Sequence, residues 1–184
     1  ASVATRMELE RYGARPAIFE YLLDHPEFAT YVTRALRAAR YRIWRTPAGL
    51  SLDDGWGARG HFEVVYAQGG MRVFFAHGQY EQRMLPDLAG RAVVVLEYGF
   101  HPGADGRPTV ATAVSAHLAL DGRILGMAGR VAAPLVQKKA DREGRTLLRV
   151  FSKVSRAIED NPQAVYESLR ALEDVPRREL EEFR

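Results

Sequence analysis

The sequence predicts an α+β domain in which a curved antiparallel β-sheet grips a long C-terminal helix, with two short helices after the first strand. Three observations carry this. From about Tyr41 to Leu120 the apolar residues recur with a period of two, and the joints between runs are short and rich in Gly, Pro and Asp, which favours hairpins over βαβ crossovers. The stretch APLVQKKADREGRTLLRVFSKVSRAIEDNP, residues 133–162, has a helical period instead and carries the one long apolar helical face. A sheet with one apolar face must be covered, and this helix is the available cover.

The elements follow in order. Residues 2–10 alternate weakly, with Val3, Met7 and Leu9 on one face of a first strand, and Gly13 breaks it. Pro16 suits the first turn of a helix striped by Ile18, Phe19, Leu22 and Leu23. His25-Pro26 interrupts, and a second short helix carries Phe28, Tyr31, Val32, Ala35 and Leu36. Strands are expected at about 41–46, 50–54, 60–67, 72–81, 91–101 and 109–120, with a last piece at 123–131. The joints are 47–49, 68–70, 87–90, 103–108 and Asp121-Gly122, the last being the strongest hairpin signal.

In the long helix, about 100° per residue puts Lys138, Arg142, Arg145, Arg149, Lys153 and Arg156 in one narrow stripe, with Leu147, Phe151, Val154 and Ile158 almost opposite. Asp141 and Glu159 lie at the edge of the stripe. Gly144 weakens the helix by about 1 kcal/mol relative to alanine. Asn161-Pro162 ends it and starts another with Val165, Leu169 and Leu172, before a short charged tail from Pro176. The expected division is a domain over 1–160 and a helical extension over 161–184.

Composition narrows the classes. The 184 residues are 47% apolar and 27% charged, enough for a core without staples. Cysteine is absent, which excludes disulfides, thiolate metal sites and cysteine nucleophiles. A net charge of +3 is a mild excess, and no recognition motif or aromatic platform adjoins the basic stripe, so no nucleic-acid partner is expected. No apolar run approaches the roughly 18 residues of a membrane-spanning helix. The chain starts at Ala1, from removal of a leader or from trimming, and the expectation leans to a periplasmic or secreted setting.

The candidate chemistry is sparse. Leu147, Phe151 and Val154 either roof a ligand cavity or fill the core. On the strands, Met71, Val73, Phe75 and His77 share a face, as do Ala92, Val94, Leu96, Tyr98 and Phe100, and Ala111, Ala113, Ser115 and His117. Small side chains there admit a close helix or leave room for a ligand. His77, Tyr98 and His117 are the candidate polar groups of an otherwise apolar site. Trp56, in DDGWGARG, is a gate at a cavity mouth or an anchor for a turn. Asp53 and Asp54 suit turn capping better than a joint acid/base or metal role, since adjacent strand residues point apart. No histidine pair has metal-ligand spacing, and GxSxG, Walker and GxGxxG motifs are lacking. No metal, cofactor or catalytic residue is therefore assigned. The basic stripe is a solvated face or a docking surface for anionic lipid, with Arg142, Arg145, Arg149 and Lys153 as the contacts.

The order of elements resembles the START-like helix-grip superfamily of lipid-transfer and polyketide-cyclase proteins, over about residues 2–160. The segment ARPAIFEYLLDHPEFATYV after the first strand, the Gly-punctuated strands and PLVQKKADREGRTLLRVFSKVSRAIE as terminal helix carry the resemblance. It implies a cavity between sheet and helix that binds, and in many members transports, a hydrophobic ligand. The expected partners are a hydrophobic small molecule or lipid and an anionic membrane surface. The expected ligand-binding residues are Trp56, Phe75, His77, Tyr98, Phe100, His117, Leu147 and Phe151. Two rivals stand: a cyclase- or hydrolase-type enzyme using His77, His117 and Tyr98 in the same cavity, and a ligand-free interaction module with a filled core.

Overall fold

The computed structural model describes residues 2–82, 85–121 and 127–184, leaving aside the side chains of 82–88, 127–133 and 135. Strand β1 (Ser2–Gly13) leads into helices α1 (Pro16–Asp24) and α2 (Pro26–Ala35). Strands β2 (Arg42–Thr46), β3 (Gly49–Asp53), β4 (Ala58–Gln68), β5 (Met71–Gln82), β6 (Leu85–Pro102) and β7 (Pro108–Leu120) then run as a meander. Helices α3 (Met127–Asp160), α4 (Pro162–Arg170) and α5 (Arg177–Phe183) close the chain. The strand order is β1-β7-β6-β5-β4-β3-β2, with every neighbouring pair antiparallel. The architecture is α+β, as expected. The α1–α2 segment carries the chain from one edge of the sheet to the other.

Proline begins three of the helices. Pro16, Pro26 and Pro162 each sit in a first turn, where the missing N–H costs nothing. The Asn161 side chain accepts from Ala164 N at 3.0 Å and caps α4. Inside α3, Pro134 is an interior residue, because the helix starts seven residues before it.

Two expectations are corrected. Of the strand expected at 123–131, residues from Met127 on are helical instead, and 122–126, with Gly122 of the expected hairpin, lie outside the described residues. Strand β7 already pairs with β6 on one side and β1 on the other, so it has no free edge for a hairpin with the segment that follows. The joint expected at 87–90 is strand, with Gly78 opposite Gly90 and Gln79 opposite Ala89. Gly90 reads as a breaker, yet it is spent on close packing within the sheet.

The core fills one end of the concave face. Phe19 and Leu23 of α1 pack with Leu96, Tyr98, Val110 and Val114 of the sheet and Leu148 of α3. A β-bulge in β1 sets Glu10 and Arg11 against Ala111, and this turns Tyr12 inward, where it is 2% exposed. A second cluster joins the helices: Leu22, Phe28, Val32, Val150, Val154 and Ile158 pack with Val165 and Leu169 of α4. α3 lies mainly along β1, with a smaller contact to β7.

Candidate functional site

Successive strands bring successive inward residues into register, and their sizes change along the sheet. At the filled end the rows contain Leu96 opposite Val114 and Tyr98 opposite Thr112. Two rows further on they contain Ala76, Ala92 and Leu118, and after that Gly60, Gly78 and Gly90, flanked by Leu52 and Leu120. The glycines are sterically required. A Cβ on Gly60 would lie 2.5 Å from the carbonyl oxygen of His77, and one on Gly90 would lie 2.7 Å from that of Ala119. Where side chains are missing, the helix above has nothing to pack on.

A cavity of about 530 Å³ results, floored by these glycine and alanine rows and roofed by Ala140, Gly144, Leu147, Leu148 and Phe151 of α3. Its wall is mostly apolar, including Phe62, Phe74, Val94, Val114 and Leu118. The volume falls within the usual range for small-molecule pockets, about 300–1,000 Å³. From the row of Thr112 to that of Leu120 the lining spans eight residues of β7, or roughly 26 Å at ~3.3 Å per residue, so the space is long rather than round. Leu147 keeps 37% of its surface accessible although it lies on the roof.

Polar groups gather at two places. Near the α3 N-terminal half, the Asp54 carboxylate accepts from Trp56 N at 2.7 Å and Ala58 N at 2.9 Å, which caps the β3–β4 turn. Its other oxygen accepts from Lys139 Nζ at 3.3 Å. Lys139 also donates to Glu143 Oε1 at 3.1 Å and lies 4.6 Å from the centre of the Tyr80 ring. Tyr41 Oη donates to Glu143 Oε2 at 3.1 Å. Asp54, Lys139, Glu143 and Tyr41 all line the cavity. Burial pushes the Tyr41 hydroxyl well above its ordinary pKa, and the Glu143 charge adds to this. At the filled end the hydroxyls of Tyr12 and Thr112 lie close together without meeting hydrogen-bond geometry, and neither has another partner among the described residues. Burial raises the Tyr12 pKa to about 12.

The expected site residues scatter. Leu147 and Phe151 are on the roof. Tyr98 and Phe100 face inward but are consumed in packing, with ring centres 5.1 and 5.7 Å from that of Phe19. Tyr98 Oη donates to Glu20 at 3.2 Å. Phe75 and His117 belong to the outer face, in one row with Val93, because Phe74 and Ala76 point inward and the period is two. His77 contributes to the wall, but its ring lies beside that of His61 at 5.4 Å, in the outer row with Arg91. Trp56 is 63% exposed in the β3–β4 turn, with the Arg40 guanidinium over its ring at 5.7 Å, and does not line the cavity. The small residues Ala111 and Ala113 alternate with inward Thr112 and Val114, so they leave no room for a ligand.

Sequence reasoning missed Gly60, Gly78, Gly90 and the Asp54–Lys139–Glu143–Tyr41 cluster. A signal for the glycines existed: Gly60 and Gly78 stand at nearly equal distances from the Gly69-Gly70 turn, so a hairpin brings them together. The cluster had no such signal, since Tyr41, Asp54 and the Lys139–Glu143 pair of α3 come from three separate segments. On the outer face, Ser51 Oγ lies 2.9 Å from His61 Nδ1, but Ser51 is 3% exposed and cannot present a nucleophile. Among the described residues no group of three His, Cys, Asp or Glu side chains could hold a metal ion.

The basic stripe is intact on the surface. Lys138, Arg142, Arg145, Arg149, Lys153 and Arg156 are all exposed, on the side of α3 away from the cavity. Among the described residues, Lys138, Arg145, Arg149 and Arg156 make no ion pair, while Arg142 stands 3.8 Å from Glu143 and Lys153 Nζ reaches Leu36 O at 3.5 Å.

No protein-family model matches the chain, and no curated protein matches it. Among solved structures, the chain is similar to the crystal structure of a hypothetical protein from Helicobacter pylori, at 10% identity and a TM-score of 0.48, over 84% of this chain and 88% of that one.

Proposed function

We propose that this protein binds a hydrophobic ligand, a lipid, in the cavity between sheet and α3, and that it works as a carrier of the START-like helix-grip kind. One observation carries the reading: an apolar space of about 530 Å³ is maintained by glycine and alanine rows where a structural core would have larger side chains. Interiors pack at crystal-like density, and an unfilled apolar space costs stability, so its retention needs a use. Binding draws on burial of the ligand's apolar surface, worth roughly 25 cal/mol per Å² before the costs of association. The exposed stripe supports docking at an anionic membrane. Docked through it, α3 lies flat with the cavity on its far side, so ligand passes around the helix and not through its basic face.

The enzyme reading with His77, His117 and Tyr98 is not assembled, since His117 stands in an outer row, the His77 ring lies beside that of His61 and Tyr98 is packed in the core. The test of the carrier reading is native mass spectrometry of gently purified protein, with organic extraction of what dissociates. A bound lipid, or uptake of lipid from vesicles by empty protein, is expected. Empty protein that also takes up nothing would return the assignment to an interaction module.

A further inference from the structure

The polar cluster on the cavity wall has a direction. Lys139 has three N–H groups: one goes to Asp54, one to Glu143, and the ammonium lies over the Tyr80 face. The Tyr41 proton is given to Glu143. Two Lys139 N–H groups and the Tyr41 proton are therefore committed within the cluster, whereas the Glu143 carboxylate and the Tyr41 oxygen retain lone pairs. Two carboxylates also face one ammonium, so the cluster carries net negative charge. The neighbouring Arg142 is 3.8 Å from Glu143, but its side chain is 73% exposed and is screened by water. An incoming head group meets acceptors and a negative field at this place, in a wall that is otherwise mostly apolar.

From this we infer that the cavity selects amphiphiles with a hydrogen-bond-donating head, a hydroxyl or a protonated amine, and rejects those with a carboxylate or phosphate at that position. A donor head completes the free valences of Glu143 and Tyr41. An anionic head would be desolvated beside two like charges, at a cluster whose own donors, among the described residues, are already engaged. Arg59, His61, His77, Gln79 and Arg91 also line the cavity, but they stand in the outward-facing rows on either side of the inward Gly60, Gly78 and Gly90, and Arg59 donates to Asp53. The Thr5 hydroxyl is given to Asp141, and those of Thr30 and Thr33 to Glu27 O and Ala29 O. The Tyr12 and Thr112 hydroxyls lie at the filled end, away from the bare glycine row.

The inference rests on the cavity reading, and one experiment separates the two. Decylamine, decanol and decanoate, sharing one chain length, are titrated calorimetrically into the intact protein at neutral pH and below their micellar concentrations. The amine and the alcohol are expected to bind at least about tenfold tighter than decanoate. Glu143→Gln should narrow the gap between amine and carboxylate, by weakening the first and strengthening the second. Equal binding of all three, or a preference for decanoate, overturns the head-group inference and leaves the cavity standing. No binding of any of them overturns both. The ranking with the unaltered protein decides by itself, so the conclusion survives if the Glu143 variant fails to fold.

Discussion

Ala92 shows how much a single inward position decides. It shares a row with Ala76 and Leu118 and lines the cavity floor. In a filled core, Ala92→Leu would overpack and cost about 1–3 kcal/mol. Here the added atoms enter empty space and bury apolar surface, so Ala92→Leu should leave the urea midpoint unchanged or raise it while reducing uptake of an apolar probe. A fall in stability of the overpacking size would mean that the space closes in solution. The residue scale is also where the sequence is most ambiguous. Ala92, Ala111 and Ala113 look alike in the chain, yet only Ala92 faces inward. Face parity in β5 and β7 depends on which alternate residue points at α3, and a shift of one position moves Phe75, His77 and His117 from cavity to outer surface.

At the scale of elements, α3 has two faces with different duties. Its inner side roofs the cavity and approaches β1 closely at Gly144, where a Cβ would lie 2.7 Å from Met7 Sδ. The glycine that weakens the helix in isolation is thus the place where helix and sheet come together. The outer side carries the stripe, legible from helical spacing alone because exposure needs no partner. Each Lys or Arg near an anionic surface contributes about 1 kcal/mol. Reversing Arg145 and Arg149 to glutamate should therefore reduce binding to phosphatidylserine-containing vesicles at least tenfold in a sedimentation assay, with unchanged far-ultraviolet circular dichroism. Binding by the unaltered protein should fall as salt is raised. Association that ignores both salt and the reversals would leave the stripe a solvated face.

For the whole molecule, buried tyrosines tie stability to alkaline pH. Burial raises Tyr12 and Tyr21 to about 12, and raises Tyr41 further still. The unfolded chain ionises these groups near the ordinary value of 10, so above that pH it holds fewer protons than the folded chain. The stabilising contribution is complete below pH 10 and is lost as pH climbs through the folded values. For the largely buried Tyr12 this amounts to about 2–3 kcal/mol. Urea midpoints measured from pH 9 to 12 should decline beyond pH 10, and Tyr12→Phe should flatten part of that decline. A midpoint independent of pH over this window would mean that the tyrosines are open to solvent.

By itself the sequence determined the α+β class, the run of hairpin strands, the two proline-started helices after β1 and the amphipathic character of α3. Each rests on local periodicity or turn chemistry, which acts within a few residues. Only the tertiary structure decided where the cavity lies and what faces it. The β1 bulge turned Tyr12 inward, and pairing of β7 with both β6 and β1 left it no free edge for a hairpin with the next segment, which from Met127 is part of α3. Cross-strand register assembled Gly60, Gly78 and Gly90 into one bare row, and the crossing of α3 over it brought Lys139 and Glu143 to Asp54 and Tyr41. Those contacts join residues as much as 102 positions apart, a distance over which no local pattern carries information.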